Sequence, residues 1–372
     1  MIAAAVALSV LWTLPVSAAS QEEMYSRQLT ASGADTLIER LPADTRELLE
    51  EMHLDEITPS AYTDLRFEDV LRALGDLLGK SAVSPLRVLA ALLGVVLVSA
   101  MFGGLEGVSN ATPLRGTYHT VAVLASCGLL LTPFTGLLSS VSRTAESVRV
   151  FMVSYVPVYG AVLAAGGSVS AALSYQTTLL TAAEILTQLI VAVILPVLVL
   201  SLGLGCTGAV TEGFGLDAVS TALHKAILWT LGLFSTVFSG VLSVQQMVAT
   251  AGDTLGSRAM RFSIASFVPV VGGAISEAYS TVAGCAGLLR SAVGCFGTAA
   301  TLLLVLPPLV NCLCWNIALL IGGTAASLFH LSALEKLCRT VAGAVRALIA
   351  VLAVFALLMI VSTSVIAFTG KA

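Results

Sequence analysis

The chain begins with an apolar run, Ile2 to Leu14, ended by Pro15 and followed by the small residues Ser17-Ala18-Ala19. A short apolar core ahead of small residues is the pattern of a secretory signal peptide. Residues 1–19 are expected to be one, with an uncleaved anchor helix as the competing reading. No basic residue precedes the run. On either reading the segment that follows is exported. In residues 20–86 the pattern changes. Leu37, Leu41, Leu48, Leu49, Met52 and Leu54 recur at threes and fours among acidic residues, the period of amphipathic helices. Short helices are predicted over Asp35 to Arg40, Pro42 to Glu51 and Phe67 to Leu78. About 60 residues bury too little surface for a secure core. This segment is expected to lean on the rest of the chain or on a partner.

From residue 87 to 372 the pattern is long apolar runs. They are Arg87–Val108, Thr117–Val141, Gln176–Leu204, Ala222–Val248, Phe262–Leu289, Val293–Ala326 and Ala342–Phe368. Each reaches the 20 or so residues that a membrane-crossing helix needs. Val150–Ala165 is shorter and is expected either to span or to re-enter. The runs are too long and too uniformly apolar for barrel strands. The expected fold class is therefore all-α: a polytopic transmembrane helical bundle of seven or eight spans, preceded by a short helical exported segment.

Composition sets the solvent. Hydrophobic residues make up 57% of the chain and charged residues 11%, against about 25% charged in soluble domains. So few charges cannot cover a surface in water, and the lipid bilayer is the expected surrounding. Residues 1–87 carry seven more acids than bases, and residues 88–372 three more bases than acids. The basic residues divide almost evenly between the two sides of an eight-span layout, so they do not set its orientation. No basic patch suggests nucleic acid. All seven cysteines lie after residue 120 and read as small buried apolar residues. Cys312-x-Cys314 lacks metal-ligand spacing. No cofactor or metal is expected.

Two stretches align without gaps at an offset of 112 residues: Arg149–Leu163, RVFMVSYVPVYGAVL, and Arg261–Ile275, RFSIASFVPVVGGAI. Both hold the Pro–Gly pair, Pro157 and Gly160 in the first and Pro269 and Gly272 in the second. The same offset places Pro196 on Pro308. Proline removes a backbone hydrogen bond and crowds the preceding turn, so a kinked or broken helix is predicted in each copy. The repeat units run from about 117 to 224 and from 229 to 340, with a final span over 342–368. Three spans per unit would make the halves inverted, the arrangement of a transporter core. Kinked packing helices are the plainer alternative.

Glu184 and Glu277 are the acids set deepest within apolar runs. A charged carboxylate at the centre of a membrane helix costs roughly 2.5–3.5 kcal/mol on insertion scales. Such groups face a cavity or a partner. They either serve an ion or proton pathway or are hydrogen-bonded structural carboxylates. Gly203-Leu204-Gly205-Cys206-Thr207-Gly208 matches GxGxxG but follows an apolar run rather than a strand, so it reads as a helix-ending turn and not a nucleotide site. His224 and His330 lie near basic residues at span ends and read as interfacial. HExxH, GxSxG and Walker A patterns are absent from the sequence, and no enzyme is expected.

Phe267–Cys285, FVPVVGGAISEAYSTVAGC, followed by Arg290-Ser291-Ala292-Val293-Gly294, closely resembles the stage III sporulation protein AE family, as does Tyr155–Ala172, YVPVYGAVLAAGGSVSAA. The resemblance covers most of residues 80–370. It implies a multi-pass protein of the mother-cell membrane around the forespore. Its place would be in a channel or secretion-like complex that supports late forespore gene expression. The partners it implies are the other stage III sporulation A-operon membrane proteins, including an ATPase and ring-forming proteins, and a forespore membrane partner. It supplies no catalytic residues. The alternative reading is a secondary transporter or ion-coupled permease with an inverted-repeat core.

Overall fold

A computed structural model describes residues 21–54, 56–58, 67–105, 112–211, 215–267 and 272–369 of the protein. The expected signal peptide, 1–19, lies outside them. The described elements are helical. Helix α1 (Gln21–Ser32), a 3-10 helix (Ala34–Arg40) and α2 (Ala43–Glu51) form the N-terminal segment. Six long helices follow: α3 (Phe67–Leu105), α4 (Thr112–Ala165), α5 (Val169–Val210), α6 (Leu216–Phe267), α7 (Gly272–Leu328) and α8 (Ser332–Thr369). All six are long and apolar enough to cross a membrane.

The expected seven or eight runs become six helices because two of the runs are not separate elements. Thr117–Val141 and Val150–Ala165 are two stretches of the 54-residue α4. The polar interval Ser139–Arg149 between them is helical as well, since Ser, Arg and Glu continue a helix that hydropathy alone reads as ended. Phe262–Leu289 is divided between the end of α6 and the start of α7. At 1.5 Å per residue α4 is about 80 Å long, far beyond a hydrocarbon core of about 30 Å. Such helices cross the bilayer and continue past it.

Short connections make sequential helices antiparallel neighbours. Between α4 and α5, Gly167 takes a left-handed φ of 86°. There Ser168 N–H donates to Leu163 O at 3.0 Å, which closes the end of α4. Between α7 and α8, His330 takes the same role at φ 58°, with Leu331 N–H donating to Ala326 O at 2.9 Å. His330 is thus a turn residue at a helix end. α8 is the central helix: 56% of its most apolar window is buried, against 17% for the peripheral α3. It packs on α7, α6 and α5, while α4 packs on α5 and α7.

Glycines set the closest approaches, as small residues do between membrane helices. A Cβ on Gly205 would meet Thr340 Cβ at 3.0 Å. A Cβ on Gly343 would meet His224 Cε1 at 3.0 Å. Gly205 and Gly208 of the GxGxxG stretch therefore serve packing, Gly208 against Leu216. His224 is 6% exposed, and its Nε2 lies 2.9 Å from Ser201 Oγ. Ser201 Oγ donates to Leu198 O, so the imidazole donates to the serine. His224 is a buried packing group, which corrects the interfacial reading. The outer surface is apolar instead: Val199, Leu200, Trp229, Val237 and Ile317 are exposed, Trp229 by 71%. That inside-out distribution suits lipid, and the chain is a membrane protein.

The Pro–Gly copies differ. α4 runs through Pro157 and Gly160 without interruption. In the second copy α6 ends at Phe267, Pro269 lies outside the described residues, and Gly272 opens α7. Pro196 follows a π turn over Ile190–Ile194. The wider turn relieves the clash between the proline ring and the carbonyl four residues back. Pro308 lies inside α7. The units, α4–α5 and α6–α7, hold two long helices each, so the copies run in the same sense rather than inverted.

The N-terminal segment leans on the body, as its size requires. Leu37, Leu49, Leu54 and Ile57 are buried in the same apolar core as the long helices. Its elements pack on α4, α7 and α3. Tyr25 Oη donates to Ile57 O at 2.6 Å. Burial pushes that phenol up to about 12, so it remains a donor throughout the neutral range. Asp35, Glu39, Asp44, Glu47, Glu50 and Glu51 are all exposed, which leaves an acidic outer face.

This register makes a topology prediction. Asp253 of α6 touches Ser170 of α5, so both belong to one side of the membrane, and Ala218, at the far end of α6, to the other. In a chain freed of native cysteines, single cysteines at Ser170 and Ala251 are expected to label together with an impermeant reagent. A cysteine at Ala218 should label only after permeabilisation. Opposite behaviour of Ser170 and Ala251 would refute the six-helix arrangement.

Candidate functional site

The polar groups gather beyond the most apolar ends of the helices, where α4, α5, α6 and α7 meet. On α4, Phe151, Tyr155 and Tyr159 recur every four residues and share one face. Phe151 and Tyr155 stack at 5.5 Å, as do Tyr155 and Tyr159, and Tyr175 of α5 meets Tyr159 edge-on at 5.2 Å. Phe296 of α7 closes the row against Phe151 at 6.4 Å. Tyr155 and Tyr175 are 0% exposed, and Tyr155 Oη donates to Val293 O at 3.2 Å. Each aromatic pair adds about 0.5–1.5 kcal/mol beyond its burial. The row locks α4, α5 and α7 together.

Asp253 closes the same region from α6. Its carboxylate accepts from Ser170 N–H and Ala171 N–H at 3.0 Å each. These are the second and third residues of α5, whose own N-cap Ser168 makes no side-chain cap bond. A carboxylate at a helix N-terminus also meets the positive end of the helix dipole. Nearby, Gln246 Nε2 donates to Ala171 O at 3.3 Å, and Ser174 Oγ donates to Gln245 Oε1 at 3.3 Å. Gln176 Nε2 donates to Pro157 O at 3.4 Å. A Cβ on Gly160 would overlap that Gln176 side chain. The Pro–Gly pair of the first copy is thus where α5 approaches α4.

Glu184 is placed by Arg149, the first residue of the repeat motif. Arg149 donates to both oxygens of Glu146, at 2.6 and 2.9 Å, and from Nη1 to Glu184 Oε2 at 3.5 Å. Gln188 Nε2 donates to Glu184 Oε1 at 3.0 Å. The Glu184 side chain is 50% exposed on the outer face. Twenty-one residues further along α5, Gly205 touches Thr340, beside the Glu335–Arg339 ion pair. That separation is about 31 Å at 1.5 Å per residue, one hydrocarbon thickness. The two ion-pair groups therefore mark the two faces of the bilayer. Glu184 is a paired, interfacial carboxylate rather than a lone mid-membrane acid. Glu277 lies on α7, with its side chain outside the described residues. The described structure does not bring it to Glu184.

The sequence reading missed the aromatic row and Asp253. The i, i+4, i+8 spacing of Phe151, Tyr155 and Tyr159 was the available signal for the first. The second had none, because an aspartate 83 residues from Ser170 carries no local pattern. Among the described residues, no group of three or more His, Cys, Asp or Glu side chains is placed to hold a metal. The arrangement is one of packing and helix-end hydrogen bonding.

A family model described as stage III sporulation protein AE matches residues 51–370. The chain is similar to a Bacillus subtilis (strain 168) protein named stage III sporulation protein AE, 23% identical over 246 residues. That alignment covers 66% of this chain and 62% of the relative, less than two thirds of the relative's length. No solved structure matches.

Proposed function

Because this chain belongs to the stage III sporulation protein AE family, we propose that it acts in sporulation as a membrane subunit of the channel or secretion-like complex that links mother cell and forespore. Its place is the mother-cell membrane surrounding the forespore. The complex supports late forespore gene expression. Its partners are the other stage III sporulation A-operon membrane proteins and a forespore membrane partner, and its role is not enzymatic. The observation that carries this reading is the N-terminal segment. Its apolar face is spent on the membrane body while six acids point outward. On an exported segment, that acidic face lies between the two membranes and is free for a partner.

Disruption of the gene is expected to abolish heat-resistant spores and silence a late forespore reporter, with both restored by the intact chain. Normal spores from the disrupted strain would overturn the proposal. The transporter reading is separated by Glu184→Gln. An exposed ion pair contributes about 0–1 kcal/mol, so spore yield should stay within about fivefold of the parent. A hundredfold loss at normal protein level would favour an ion-coupled carboxylate instead.

A further inference from the structure

The end of the body opposite the acidic segment holds a second polar feature. A cavity of about 190 Å³ opens between the end of α7 and the start of α8, lined by Leu319, Leu320, Thr324 and Ser327 on α7 and by Arg339 and Arg346 on α8. Glu335 also borders it and holds Arg339 in an ion pair. Arg346 is exposed, and among the described residues no ion pair engages it. Its Nε donates at 3.2 Å to Ala342 O, one turn toward the start of α8. The side chain thus bends from within the apolar layer toward the interface, as a snorkelling arginine does.

We propose that this cavity binds the phosphate of an anionic phospholipid headgroup. The cavity carries a net positive charge, two Arg against Glu335. Guanidinium is the side chain best matched to phosphate oxygens. Thr324 Oγ1 and Ser327 Oγ each donate to their own helix at 2.8 Å and can rotate those hydrogens to a phosphate oxygen. The volume is below the 300 Å³ or more of sites that enclose a whole organic ligand. It suits a headgroup phosphate whose acyl chains stay outside, along the exposed Leu320 and Ile321. Basic pockets between membrane helices at the bilayer face bind acidic headgroups in this way. A free phosphate shares the chemistry but gains nothing from the apolar rim.

The test is thermal unfolding of the purified full chain in detergent, titrated with phosphatidylglycerol, phosphatidylcholine or inorganic phosphate. Phosphatidylglycerol alone is expected to raise the midpoint. Arg346→Gln should weaken its apparent affinity roughly tenfold, the loss of one charge-assisted hydrogen bond. Glu335→Gln should strengthen it, because the opposing carboxylate is gone. Both side chains lie at the surface of the helix pair, so neither change removes core packing. An unchanged response in both variants would overturn the site. Equal stabilisation by inorganic phosphate, or by phosphatidylcholine, would overturn the assignment to an anionic lipid.

Discussion

Gly297→Val is expected to prevent stable assembly of the membrane body. Gly297 on α7 faces the ring of Tyr155 on α4, and an added Cβ would fall under 3.0 Å from its Cζ, Cε2 and Oη atoms. Tyr155 is 0% exposed, stacked on Phe151 and Tyr159, and hydrogen-bonded to Val293 O. The ring has no open space to enter. Overpacking a dense core costs about 1–3 kcal/mol and occasionally more, and here the clash also separates α4 from α7. Purified in detergent, the valine variant should melt far below the parent or elute as aggregate, with the alanine variant between them. Tyr155→Leu in the valine background should recover part of the loss by clearing the space. Parent-like melting of Gly297→Val would show that α4 and α7 do not meet in this register.

Much of the fold was open to reading because lipid-facing helices impose simple patterns. The six membrane helices fall on apolar runs that hydropathy marks, and the leucine spacing of residues 37–54 places the short helices that the structure holds. What the linear pattern lacks is partner information. It cannot show that Ser139–Arg149 continues a helix, because a polar interval in α4 looks the same as a loop. It treats Glu184 as a lone buried acid, since Arg149 stands 35 residues away and meets it only once α4 and α5 fold together. His224 looks interfacial beside Lys225, yet its nearest partners are Ser201 and Gly343 on other helices. The 112-residue repeat is real as a sequence match, but the same Pro–Gly letters sit in an unbroken helix in one copy and next to a helix end in the other. Tertiary surroundings decide whether a proline bends, breaks or merely ends a helix.

Leu49→Asp separates the acidic segment from the body it rests on, and so tests what that segment is for. Leu49 is 0% exposed, in a cluster with Leu37, Leu54 and Ile57. The change removes an apolar side chain whose burial contributes about 1.5–3 kcal/mol. It also buries a carboxylate at an effective cost of several kcal/mol. A segment of this size holds no such reserve, so it is expected to undock. The six long helices pack chiefly on one another and should remain assembled. Limited proteolysis should then cut at Arg40 and Arg46 readily, while the body elutes as the parent does. Spore yield should fall by orders of magnitude, because the acidic face is no longer presented in a fixed place. Leu49→Met, which keeps the volume, costs under about 1.5 kcal/mol and should sporulate normally. If the segment is freed, the body is intact and spores still form, then the acidic face is not where the assembly meets this subunit. The contact must then be sought on the helices themselves.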